Sequence, residues 1–158
     1  MALAAGLAVA WSSTAPSREN AVTVTEALSP ATRALIIREM QAVAEAMGRI
    51  HKALVTGDHA TVTNNARAIH DSFVLNQELT PDQRSEISNR LPADFVAADR
   101  SFHALAGNLV QAGEGGDPTL ERLWFEEMTR ACQACHARFA SGRFPGLVSE
   151  RVDQSGHR

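Results

Sequence analysis

The sequence predicts an all-α protein built as an antiparallel four-helix bundle, and three observations lead there. The apolar share, 44% of the chain, is dominated by Ala and Leu, Tyr is absent, and β-branched residues rarely cluster, a profile that suits helices better than strands. Apolar residues recur at three- and four-residue spacing in four stretches, the period of a helix with one buried face. The breaks between those stretches carry capping side chains, with prolines where a first helical turn accepts them. At 158 residues the chain suits one domain.

Residues 1–28 read as an export segment and linker. The run from Met1 to Trp11 is apolar and passes through Ala8-Val9-Ala10, the small-residue pattern of a secretory cleavage site, without a charged leading region. It is a cleavable signal, an anchor stub or simply an apolar start, and it is too short to span a bilayer. Ser12 to Leu28, polar and small with Pro16, is the linker. The helical domain covers 29–141. Ser29 caps a first helix with Pro30 in its first turn, Ile36, Met40, Val43, Met47, Ile50 and Leu54 form its buried stripe, and Gly57 stops it. Asp58 caps a second helix through Val62, Ala66, Ile69 and Phe73, extending over Leu75 to Leu79 until Pro81.

Thr80-Pro81-Asp82-Gln83 has the form of a capping box and opens a short connecting helix to about Leu91. The third long helix runs from about Asp94 to Ala112 on Phe95, Phe102, Leu105, Ala106, Leu109 and Val110, and Gly113 to Gly116 break it. Asp117-Pro118 starts the fourth, whose apolar set is Leu120, Leu123, Trp124, Phe125, Met128, Cys132, Cys135 and Phe139. Residues 142–158 form a loosely ordered tail. Connections this short make sequential helices antiparallel neighbours.

A net charge of −3 is too small to be a footprint for nucleic acid. The aromatic share of 5% leaves a core short of bulk, which Ala-rich close packing or a large apolar cofactor can supply. Both cysteines and one histidine fall within Cys132-Gln133-Ala134-Cys135-His136, and Cys-x-x-Cys-His is the haem attachment signature. Three- and four-residue separations put both thiols and the imidazole on one helical face. They can address one flat object, with Cys132 and Cys135 bonding the porphyrin edge and His136 ligating the iron, as one covalent haem c. Three other readings exist: a redox dithiol, half of a zinc site and an incidental disulfide. The dithiol expects a strand-to-helix junction, and zinc needs a further ligand where no second Cys pair exists.

A four-helix bundle with this motif near the C-terminal end of its last helix resembles the class II cytochromes c, the cytochrome c′ family and its low-spin relatives. The similarity covers about residues 30 to 140 and includes Met40-Gln-Ala-Val-Ala-Glu-Ala-Met-Gly-Arg-Ile50 and Phe95-Val-Ala-Ala-Asp-Arg-Ser-Phe102-His103. It implies a periplasmic protein of electron-transfer or gas-binding type, often dimeric. Aligning the Gly48-Arg-Ile50 end of the first helix with the family puts the distal position, a blocking Leu or a ligating Met, on Met40. The Arg that often precedes that position by four residues is Ile36 here, with Arg33 and Arg38 nearby.

Met47 is the main rival for the sixth ligand, and Met128 is expected against the porphyrin edge. His51, His70 or His103 would give bis-histidine iron instead, and Asp71, Asp99, His70 and His103 form a conceivable polar or metal cluster. The resulting expectation is a monohaem periplasmic electron carrier, not an enzyme, with redox proteins as partners, a possible homodimer and no stable membrane insertion beyond its N-terminus. The alternative is a high-spin binder of nitric oxide or carbon monoxide in which Met40 only lines an open pocket. A bundle whose haem signals to a partner is the third reading.

Overall fold

The computed structural model describes residues 22–148, and among them every regular element is helical. Helix α1 spans Pro30–Thr56. The Ser29 hydroxyl accepts the Thr32 N–H at its start, and Gly57 ends it in the left-handed conformation at φ 70°. Helix α2 covers His59–Asp71, and the Asp58 carboxylate accepts the Thr61 N–H. The sequence expectation carried this helix on to Leu79, but it stops eight residues earlier. Phe73 leaves the helical conformation at φ −47°, ψ 118°, and the chain runs on into a 3-10 turn over Val74–Asn76, with Phe73 and Val74 both buried.

Helix α3, Pro81–Arg90, has the capping box expected of Thr80 and Gln83. It clamps onto the start of α1 through Glu86, whose carboxylate accepts from the Ser29 N–H and from the Ser29 and Thr32 hydroxyls. Those bonds hold the Glu86 carboxyl below the usual range. Helix α4 spans Ala93–Glu114 and α5 spans Pro118–Phe139, where Asp117 accepts from the Thr119 and Leu120 N–H groups.

The core has two parts. One gathers Val43, Ala46, Ile50 and Ala53 of α1 with Val62, Ala66 and Ile69 of α2, Phe102, Ala106 and Leu109 of α4, and Met128 of α5. The other joins Leu28, Ile36, Val74, Ile87 and Leu91, with Met40 and Phe95 packed against it. Leu28 belongs to this second part although it precedes the first long helix. Arg33 fixes that approach by donating to the carbonyls of Thr25, Glu26 and Leu28.

The buried face of α5 differs from the expected one. Leu120 and Leu123 are 42% and 45% exposed, whereas Glu121 between them is buried. Glu121 turns inward because its carboxylate meets the His59 imidazole at 2.9 Å. At the other end, Arg138 of α5 pairs with Asp94 of α4, and the rings of Phe95 and Phe139 meet edge to face at 5.5 Å. The chain then turns back: Gly142 donates to the Val22 carbonyl and Phe144 to that of Ala140. No helix among the described residues is long and apolar enough to cross a membrane. The apolar start at Met1 to Trp11, most of the linker, and the tail from residue 149 lie outside the described residues.

Small residues let α2 and α4 approach closely. A methyl group on Gly113 would fall on the Thr63 hydroxyl, 3.3 Å from the Thr63 nitrogen and 3.4 Å from Glu121 Oε1. Gly113→Ala is therefore expected to destabilise the fold by about 1–3 kcal/mol through overpacking. Gly48, exposed on α1 with open space around it, behaves oppositely, and Gly48→Ala gains about 0.5–1 kcal/mol. Urea unfolding of both variants checks the opposite signs.

Candidate functional site

Helix α5 runs without a break past Cys132, Cys135 and His136, so their spacing places all three on one side of it. All three are half-buried, and the thiols are unpaired. Burial pushes both thiols up to about 11, helped at Cys135 by the nearby Asp99 carboxylate and by Cys132. A redox dithiol depends on the reverse shift, toward thiolate at neutral pH. With no strand among the described residues to supply a strand-to-helix junction, that reading lacks both its electrostatics and its scaffold.

His136 titrates below its ordinary value because burial disfavours the imidazolium, with a smaller push from Arg143. It is therefore neutral at pH 7 and has a nitrogen lone pair to give. Its ring stacks on Phe144, 4.2 Å between centroids and 12° between planes. Two free thiols and one neutral imidazole on a single helical side fit a flat tetrapyrrole held by two thioethers and one axial nitrogen. Zinc fits poorly, since no group of three or more His, Cys, Asp or Glu among the described residues is arranged to hold an ion.

The remaining candidates separate by environment. Met40 is half-buried against the second core cluster, which also holds Phe95, the partner of Phe139 three residues past His136. Met47 is half-buried against the first cluster, as is Cys132. Met128, expected at a porphyrin edge, is instead completely buried in that first cluster. Ile36, standing where the family often has Arg, is buried too, which suits its apolar side chain. Arg33 is engaged with three carbonyls of the preceding segment, while Arg38 is exposed.

The histidines do not gather. His51 is exposed, with its ring 6.0 Å from that of Phe125. His70 is exposed, bonded to its neighbour Asp71 at 2.8 Å, and lies over Gly107. His103 is buried, and its Nδ1 lies 2.6 Å from the Ile69 carbonyl; a carbonyl can only accept, so this nitrogen carries a proton. Its Nε2 faces Glu39 Oε1 at 3.4 Å and Asp99 Oδ1 at 3.6 Å, ion-pair distances longer than a good hydrogen bond. The proposed grouping of Asp71, Asp99, His70 and His103 thus splits, and Glu39 of α1 takes the place of His70 and Asp71. Sequence reading overlooked Glu39, although a signal exists: it occupies a stripe position, three residues after Ile36 and four before Val43.

Burial alone would push His103 down, but the Asp99 and Glu39 carboxylates outweigh it and raise the imidazole to about 9. Glu39 is itself raised, chiefly by burial. Comparison with protein-family models, with curated proteins and with solved structures gave no match.

A pH dependence follows from His103. Its folded value lies above the ordinary 6.5, so its stabilisation is complete below pH 6.5 and is lost as pH rises through about 9. Unfolding free energy of the haem-free chain should fall by on the order of a few kcal/mol across that window. The thiols add their own loss only above pH 9. Urea titrations from pH 6 to 10 measure this, and His103→Gln should flatten the slope between 6.5 and 9.

Proposed function

We propose that this chain is a monohaem c-type cytochrome of the class II kind, a periplasmic electron carrier rather than an enzyme, with one haem c on Cys132 and Cys135. The observation that carries the reading is the set of two unpaired thiols and a neutral His136 on one side of α5. Bound there, the haem supplies one-electron redox chemistry. The chain's own residues do the rest. Cys132 and Cys135 hold the group against dissociation, His136 offers its lone pair from the proximal side, and the first core cluster beside Cys132 keeps water away.

In this reading α1, α2, α4 and α5 form an antiparallel four-helix bundle, and α1 faces α5. The contact between His51 and Phe125 supports the register. Counting the same number of residues back from His51 and on from Phe125 arrives at Met40 and His136, so Met40 is level with the proximal imidazole across the bundle. Its thioether is a soft donor, and a His/Met pair raises the reduction potential. Met47 lies two turns further along, level with residues before the motif. The sparse contact between α1 and α5, against the close packing of α4 on α5, favours the seam beside the motif as the place for a flat group.

The second reading, a high-spin binder of nitric oxide or carbon monoxide, shares every residue except the role of Met40, which then only lines the distal side. Met40 is half-buried and packs with apolar neighbours, an environment that suits this reading as well.

Protein produced with haem-attachment machinery is expected to gain the mass of one haem, and Cys132→Ser with Cys135→Ser to lose it. A parent protein without the added mass overturns the proposal. Optical and EPR spectra then divide the readings. The carrier predicts a low-spin parent that becomes high-spin in Met40→Ala, whereas a high-spin parent unchanged by Met40→Ala favours the gas binder.

A further inference from the structure

We propose that Phe144 is the positioning residue for the proximal imidazole, setting the rotation of the His136 ring; the assignment rests on the haem reading above. The Cα–Cβ–Cγ torsion of a histidine is broad, so a helix that places the Cβ atom leaves the plane of the ring undetermined. Something outside the helix has to fix it. Axial histidines usually have this done by a hydrogen bond from the second ring nitrogen. His136 makes no such bond among the described residues, where every other buried or half-buried histidine does: His59 to Glu121, and His103 to the Ile69 carbonyl.

A face-to-face stack takes that role. With centroids 4.2 Å apart and planes 12° from parallel, the Phe144 ring covers one face of the imidazole and leaves both nitrogens at its edge open. Rotation of the imidazole would drive its edge into the phenyl ring. Phe144 is itself held from behind: its N–H donates to the Ala140 carbonyl, Leu147 donates back to Phe144, and Gly142 in the same turn donates to Val22. The turn after α5, which sequence reading assigned to a loose tail, therefore presents an aromatic ring at a defined place. Phe144 is 39% exposed, so the face it does not turn to His136 is open to solvent rather than packed in a core.

The test compares the parent with Phe144→Ala and Phe144→Tyr in the haem-loaded ferric state. Proton NMR of the haem methyl groups is the readout, because their hyperfine shifts report the imidazole plane in either spin state. Phe144→Ala is expected to change the spread and order of the four methyl shifts, and Phe144→Tyr, which keeps the ring, to restore the parental pattern. A merely structural role would lower the melting temperature of Phe144→Ala without moving the methyl pattern. That result, with haem attached in all three proteins, overturns the assignment and leaves the haem reading intact. A parent chain that carries no covalent haem overturns both. Should Phe144→Ala fail to fold, Phe144→Leu takes its place with the same expectation, since it keeps the bulk and loses the flat face.

Discussion

Gly113 has no room for a methyl group, and much of the architecture depends on that fact. Its contact with Thr63, like that of Gly107 with His70, lets α2 and α4 lie close along their length, with Ala66, Ala106 and Ala112 buried nearby. Short side chains on these faces make one tight seam, and they cannot reach to fill space elsewhere. Across the molecule α1 and α5 touch only sparsely, and each turns large half-buried side chains to the first core cluster: Met47 and Leu54 from α1, Trp124 and Phe125 from α5. Since α1 on α2 and α4 on α5 also pack closely, the α1–α5 seam stands apart from the other three. The motif at residues 132–136 belongs to α5, one of the two helices that border this sparse seam.

The rotation of α5 about its axis decides where that motif faces, and a polar pair sets it. Met128 and Cys135 follow Glu121 at heptad intervals, so the three lie close to one line along the helix. Hydrophobic pattern alone would have turned Leu120 and Leu123 inward, as the sequence suggested. Glu121 faces inward instead, and the His59 imidazole at 2.9 Å gives the buried carboxylate the partner it needs, while Leu120 and Leu123 stay exposed. The same rotation buries Met128 completely and brings Cys132 to the edge of the first core cluster. A side chain chosen for its charge thus aims a site more than two turns away.

What was legible in the sequence, and what was not, divides along the same physical line. Helix starts depend on local chemistry, and Ser29-Pro30, Asp58, Thr80-Pro81 and Asp117-Pro118 each announced one at the right residue. Gly57 announced an end for the same reason. The end of α2 depends on tertiary contacts: Val74, Leu75 and Leu79 belong to a cluster built with α1 and α3, and no local signal separates an apolar run that continues a helix from one that leaves it. Of the candidate site, the three residues of α5 stand out in the sequence because their spacing is itself a motif. Glu39 does not, since a charged residue at a stripe position reads as a break in the pattern until the buried His103 is seen facing it.

Met40 stands on the boundary between these kinds of information. Ile36, Val43 and Ile50 form the fully buried line of α1, and Met40 and Met47 run beside it, half-buried, on the flank. An unbranched thioether with several rotatable bonds adapts to such a border more readily than Leu or Ile does. Met40 packs against the cluster of Ile36, Val74 and Ile87 from the side, outside the buried line itself. On α5, by contrast, one uninterrupted helix carries a completely buried Met128 and a His136 ring stacked on Phe144. On the haem reading proposed above, the difference between an electron carrier and a gas binder then reduces to the conformation of Met40, the flexible side chain on the flank of α1.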